Sequence, residues 1–179
     1  MNRLFHMFIM RSEFLMEIKW ILNSRKLAKI KLLIFDIDGV LTNGKLFMNE
    51  NGDISREFNV RDGLGIKLLQ ENNIIVAFLS GGDGGSTLKR AKMLGISNCL
   101  INIKNKQIAL RELQNKLNIL PSNTAFVGDD INDLVVKEDV SLLIGAKDSS
   151  PQFSIKADLL LKSCGGMGVA RELSDRILF

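Results

Sequence analysis

The sequence predicts one α/β domain: a doubly wound, Rossmann-like parallel sheet with helices on both faces, a small β-hairpin flap and no large cap domain. Three observations predict it. Short apolar runs alternate with helix-length segments of 3.6-residue periodicity, the pattern of parallel strands joined by crossover helices. The first run, residues 31–35 (KLLIF), is apolar after its lysine, as for a strand covered on both faces. Three runs end abruptly in polar or glycine-rich loops: FDIDG, LSGG and VGDD. At 179 residues the chain can bury a full core, and 46% apolar with 25% charged residues excludes wholesale disorder and a fibrous repeat.

The elements follow in order. Residues 1–29 read as an N-terminal extension and 30–179 as the domain. Within the extension, Leu15, Ile18, Ile21 and Leu22 recur at helical spacing, which predicts a short amphipathic helix over 15–28. After the strand at 31–35, residues 45–58 hold two strand-like pieces around Asn51-Gly52, a hairpin signal. Residues 62–72 read as a helix with Leu64, Leu68 and Leu69 inward. Residues 74–79 (IIVAFL) form a second buried strand, followed by a glycine-rich loop at 81–85. A helix over 87–94, a short strand at 99–101 and a helix over 106–117, carrying Ile108, Leu110, Leu113 and Leu117, come next. The strand at 124–127 runs into Gly128-Asp129-Asp130. Late strands at 141–144 and 158–161 precede a closing helix over 168–178.

Composition excludes several function classes. The net charge is +4, and the only acid-free basic run lies at 19–31; short and with Trp20 as its only aromatic, it reads as a solvated helix face rather than a nucleic-acid or anionic-lipid patch. The single histidine, His6, lies in a ragged N-terminal stretch, so acid–base chemistry falls to carboxylates or lysine. Two cysteines, Cys99 and Cys164, form neither a disulfide framework nor a zinc site and read as thiols of a reducing cytoplasm. No apolar run approaches the ~20 residues that span a bilayer.

In open parallel sheets, ligands bind beyond the carboxyl ends of the strands. Four polar signals fall at such ends or at a helix start facing them: Asp36/Asp38, Ser80, Lys106 and Asp129/Asp130/Asp133. Each is weak alone. DxDG is a common turn, Asp130 a ready helix N-cap, Ser80 a loop hydroxyl and Lys106 a surface charge. Their order, each after its own apolar strand or at a helix start, is what joins them into one site. Five acids with one ammonium need a cation, and hard oxygen ligands favour Mg²⁺, which shares phosphate oxygens.

That ordered set resembles the haloacid dehalogenase-like phosphohydrolase superfamily. The longer segments FDIDGVLTNG (35–44), REFNVRDGLGI (56–66), GDDINDL (128–134) and GGMGVARE (165–172) are similar to its capless, tetrameric sugar-acid phosphatase branch, over roughly residues 30–179. The resemblance implies hydrolysis of a sugar-acid phosphate monoester through an aspartyl-phosphate, with 3-deoxy-D-manno-octulosonate 8-phosphate or a sialic-type 9-phosphate as substrate. It implies Asp36 as nucleophile and Asp38 as proton donor and then base. Mg²⁺ would be held by Asp36, the backbone carbonyl of Asp38 and Asp129. Ser80 and Lys106 would meet the phosphoryl group, and Asp130 and Asp133 would orient waters and Lys106. Thr42 and Gly81 are assigned to the substrate, with Arg61 as a carboxylate clamp through its guanidinium fork. It also implies a homotetramer, in which the hairpin (45–58) and a mobile C-terminal Gly165–Gly168 tail cover a neighbour's site.

Three departures leave the phosphoryl-transfer residues whole and the sugar open. Branch members often carry Arg after the motif-II Ser/Thr-Gly; here Gly82 and then Asp83 follow Ser80-Gly81. Residues 147–151 read KDSSP where relatives often have an Asp-Ala-His-Pro run, and Asn43 stands where Asp is frequent. Two other classes share part of the pattern. A phosphorylatable receiver domain has an acidic Mg²⁺ pocket, a Ser/Thr and a Lys, but its accepting Asp follows a middle strand. A non-catalytic partner of a sugar-nucleotide transferase needs no second acid beside Asp36. Multiple-turnover phosphate release separates both from an enzyme.

Overall fold

A computed structural model describes residues 14–82 and 84–179; His6 and Asp83 lie outside the described residues. The strands are β1 (Leu32–Phe35), β2 (Phe47–Met48), β3 (Ile54–Ser55), β4 (Ile75–Leu79), β5 (Asn98–Leu100), β6 (Thr124–Gly128), β7 (Leu142–Gly145) and β8 (Leu159–Leu160). The helices are α1 (14–22), α2 (Ser24–Leu27), α3 (Val60–Glu71), α4 (Gly85–Met93), α5 (Lys106–Leu117), α6 (Pro151–Lys156) and α7 (Val169–Leu178).

Six strands make one parallel sheet in the order β5-β4-β1-β6-β7-β8. β1 is central, with Ile34 level with Ala77 of β4 and Phe126 of β6. Its four residues are buried, as the unbroken apolar run requires. Leu33 and Phe35 join Phe78 and Val127 in the core on one face of the sheet. Leu32 and Ile34 join Leu79 and Phe126 on the other. The chain leaves β1 for β4 and β5, then returns to β6 on β1's other side. The crevice at the carboxyl ends of β1 and β6 is therefore the topological switch point, where such sheets bind ligands.

The expected elements are present, with differences that packing explains. α3 starts at Val60, because the Asn59 side chain accepts the Arg61 N–H as N-cap. Its inward face is Asp62, Gly65, Ile66 and Leu69, while Leu64 is 49% exposed. The helix has rotated from the expected leucine face because Gly65 lies against the backbone of α7, where a Cβ would stand 2.6 Å from Arg171 Cα. On α5, Ile108 is likewise exposed and Ala109, Leu110 and Leu113 are buried. The sequence reading did not anticipate α6, which Ser150 caps, or the 3₁₀ turns over Ile131–Asp139.

The hairpin is present, with Phe47 opposite Ser55 and Met48 opposite Ile54. Its turn spans 49–53 rather than two residues, because Asn49 Oδ1 accepts the N–H groups of Asn51 and Asp53. Of the extension, residues 14–22 and 24–27 are helical, but Leu15, Ile21 and Leu22 face solvent, and Trp20 and Leu27 are the apolar residues buried there. Trp20 donates its indole N–H to the Leu160 carbonyl at 3.1 Å, and the Arg176 guanidinium covers the ring. Glu17 pairs with Arg176 and Lys162, so residues 14–29 dock on the domain. No helix among the described residues is long and apolar enough to cross a membrane.

Candidate active site

The ends of β1, β4 and β6 and the start of α5 bring Asp36, Asp38, Ser80, Gly81, Lys106 and Asp129 around one hollow of about 230 Å³. The Asp36 N–H donates to the Val127 carbonyl at 2.9 Å, which extends the β1–β6 ladder by one residue and fixes the carboxylate at the sheet's rim. Just beyond, the chain turns through Gly39 at φ 90°, a conformation that favours glycine. A side chain there would also collide with the Asp129 carboxylate.

Lys106 is the first residue of α5, whose N-cap Asn105 accepts the Ile108 N–H. Its Nζ lies 3.0 Å from Asp36 Oδ2 and 2.6 Å from Asp133 Oδ1. Asp133 is fully buried, and its second oxygen accepts the Asp129 N–H at 3.0 Å. One carboxylate thus ties the ammonium to the loop after β6. Asp130 caps the following turns by accepting the Ile131 N–H. Ser80 is buried at the end of β4, and its Oγ accepts the Gly82 N–H at 3.1 Å.

The charge balance is uneven. Asp36, Asp129 and Asp133 each place a carboxylate oxygen within 4.8 Å of the others, against one ammonium. Burial first, then the Asp133 charge, pushes Asp36 up to about 7 despite Lys106. Burial, then Asp133, Asp36 and Asp130, pushes Asp129 up to about 7 as well. Burial works against the charge on Lys106, but Asp36 and Asp133 outweigh it and hold the ammonium above its ordinary value. An all-oxygen, acid-rich cluster of this kind suits a hard divalent cation. Both oxygens of Asp133 are engaged, by Lys106 and the Asp129 N–H, while Asp36 shares the same ammonium through Oδ2.

Two expected residues, Thr42 and Arg61, and one expected segment do not line the hollow. Thr42, assigned to the substrate, is fully buried; its hydroxyl lies 3.3 Å from the Ile37 carbonyl and 3.5 Å from Asp38 Oδ1 and accepts the Gly44 N–H, which pins the loop behind the Asp38 side chain. Arg61 is exposed and lines a different hollow, beside Lys162 and Arg171, so within one chain it does not reach the hollow of Asp36. Gly165–Gly168, expected as a mobile tail, makes contacts within its own chain. The Gly166 N–H donates to the Val40 carbonyl, the Gly165 N–H to Asp148 Oδ1, and a Cβ on Gly165 would overlap the Gly39 carbonyl. The NVRDGLG segment holds this loop from behind. Asn59 donates to the Gly166 carbonyl, and Asp62 accepts the N–H groups of Ala170 and Arg171.

Two residues escaped the sequence reading. Asn132 lines the hollow. Arg56, just after β3 as the chain leaves the hairpin, donates to both oxygens of Asp38, Nε to Oδ1 at 2.7 Å and Nη2 to Oδ2 at 3.0 Å. Burial alternates from 54 to 58, with Ile54, Arg56 and Phe58 turned inward. That period of two was the available signal.

Sheet order, flap and acidic rim together define a haloacid dehalogenase-like phosphohydrolase. No family model matches the chain. It is 40% identical over 153 residues to 3-deoxy-D-manno-octulosonate 8-phosphate phosphatase KdsC of Escherichia coli K12, covering 86% of this chain and 81% of that one. The same-named phosphatase of Moraxella catarrhalis, solved with magnesium, phosphate and a KDO molecule, superposes with a TM-score of 0.83 at 34% identity, over 87% of this chain and 89% of that one. The cobalt-bound form from Haemophilus influenzae gives 0.83 at 38% identity, over 86% and 90%. The chain belongs to the 3-deoxy-D-manno-octulosonate 8-phosphate phosphatase family, whose members are phosphoric monoester hydrolases.

Proposed function

We propose that the chain hydrolyses 3-deoxy-D-manno-octulosonate 8-phosphate to the free sugar acid and inorganic phosphate. The carrying observation is the pairing of Lys106 Nζ with Asp36 Oδ2 at 3.0 Å, at the switch point of the sheet and beside a second acid, Asp38. Asp36 attacks phosphorus, and the bond from phosphorus to the sugar oxygen breaks. Asp38 gives its proton to that oxygen as it leaves. Water then attacks the aspartyl-phosphate and passes a proton to Asp38, and the Asp36–phosphorus bond breaks. Ser80 and Lys106 hold the phosphoryl oxygens, and Lys106 offsets their charge. Asp133 and Asp130 keep Lys106 and the metal-site loop in register.

Mg²⁺ fits the donor set of Asp36, Asp129 and the Asp38 backbone carbonyl. When bound it supplies charge neutralisation between the attacking carboxylate and the anionic phosphate. Assembly belongs to the same reading. Leu46, Phe47 and Met48 on the flap are 46%, 62% and 66% exposed, an apolar strip suited to burial against neighbouring copies in a homotetramer. There Arg61 becomes available to a neighbour's substrate carboxylate. The free thiols of Cys99 and Cys164 fit work in the cytoplasm.

The test is phosphate release with Mg²⁺ from octulosonate 8-phosphate, sialic-type 9-phosphates and common hexose phosphates. A clear kcat/KM preference for the first supports the reading. A preference for a 9-phosphate moves the substrate within the branch, and equal slow rates on all reject a dedicated enzyme.

A further inference from the structure

We infer that Arg56 is the positioning residue of the proton-transferring carboxylate: it turns Asp38 out of the acidic cluster and presents it to the leaving group. The inference rests on the acid role given to Asp38 above. Three segments distant in sequence meet at this point. Asp38 follows β1, Arg56 leaves the flap, and Gly82 follows β4. The two donated hydrogen bonds, at 2.7 and 3.0 Å, fix the plane of the carboxylate as well as its place. The Arg56 side chain is 2% exposed, whereas Asp38 keeps 30% of its surface open to the hollow. The buried fork takes one acceptor position on each oxygen and leaves the open side of the part-exposed carboxylate to the substrate.

Gly82 makes the room. A Cβ there would stand 2.9 Å from Arg56 Nη2 and 3.1 Å from Asp38 Oδ2. The absence of a side chain after Ser80-Gly81 is therefore the complement of a guanidinium arriving from the flap.

Two buried cations meet different acids of the hollow. Lys106 takes Asp36 and Asp133, and Arg56 takes Asp38. The carboxylates gathered within 4.8 Å are Asp36, Asp129 and Asp133, without Asp38. A carboxylate drawn into that cluster would serve as a ligand and lose its line to the sugar oxygen. Arg56 keeps the two acids of Asp-Ile-Asp in separate employment, and it links the flap's position to proton transfer.

The test compares kcat/KM on an alkyl phosphate that the wild type hydrolyses with kcat/KM on p-nitrophenyl phosphate, whose leaving group departs without a proton. This ratio reports steps up to phosphoryl transfer onto Asp36, before the base role of Asp38 begins. Arg56→Ala is expected to lose about 10²-fold on the alkyl ester and less than about threefold on the aryl ester. Arg56→Lys, a point charge without the fork, recovers part of the loss. Gly82→Ala, which pushes on the clamp from the β4 side, shows the same selectivity more weakly and covers the case in which Arg56→Ala fails to fold. Equal losses on both esters across the folded variants, or none on either, overturn the inference. Asp38→Asn is run alongside. If it shows no leaving-group selectivity, the acid role itself fails; if it does and the Arg56 and Gly82 variants do not, only the clamp fails.

Discussion

Lys106 lies closer to Asp133, at 2.6 Å, than to Asp36, at 3.0 Å. The fully buried Asp133 is thus the fixed partner, and Asp36 shares an ammonium already held in place. Removing one member of a buried ion pair costs about 3–5 kcal/mol. We expect Asp133→Ala to lower stability by about that amount in denaturant melts and to reduce turnover sharply. An unchanged melt would mean that the ammonium finds equal support elsewhere.

The nucleophile offers a separation of activity from stability. Ionised Asp36 is costly in the metal-free protein, since its value stands near 7. Asp36→Asn should abolish phosphate release while raising the melting temperature in chelator at pH 8. Residual hydrolysis near the wild-type rate would remove Asp36 from its role.

The same crowding sets a pH dependence. Asp36 and Asp129 both stand near 7 when folded and near 3.8 in their ordinary state. Their folded forms hold protons that the unfolded chain has lost, so metal-free stability falls as pH rises from about 4 to about 7 and is level above. A divalent cation should flatten that slope, and its binding at pH 6 should release protons. Thermal melts with chelator and with Mg²⁺, and proton counts by calorimetry in two buffers, check both; parallel melting curves would contradict the account.

Gly65 does not line the hollow, yet its substitution should reach it. A Cβ there meets the Ala170 carbonyl and Arg171 Cα, backbone atoms that cannot swing away. Gly65→Ala should cost about 1–3 kcal/mol and displace the loop that backs Gly39. The expected signature is a lower kcat with kinetics otherwise intact, measured well below the melting temperature.

The flap's apolar strip gives an assembly test. Phe47→Lys should lower the mass measured by light scattering at micromolar concentration and leave the melt of the isolated fold nearly unchanged. An unaltered mass would locate the contact away from the flap.

The strands and the rim acids were legible because buried parallel strands write continuous apolar runs, and the residue after each run is forced to the sheet's edge. That logic found Asp36, Ser80 and Asp129. It failed where partners lie far apart in sequence. The inward face of α3 depends on Gly65 meeting α7, which no periodicity within 60–71 encodes. Arg56 reads as one more flap charge until Gly82, 26 positions later, is seen to vacate its space. The Thr42 hydroxyl meets Ile37, Gly44 and the Asp38 carboxylate, a set of local contacts that the letters of 35–44 do not spell out.

Gly165 and Gly166 rest against Gly39 and Val40, beneath the turn that carries Asp36. Every polar residue of the hollow lies at or before Asn132 in the sequence, whereas the wall behind the first loop comes from residues 165–166. A chain cut between the two would keep its reactive groups and lose the backing of the turn that aims Asp36.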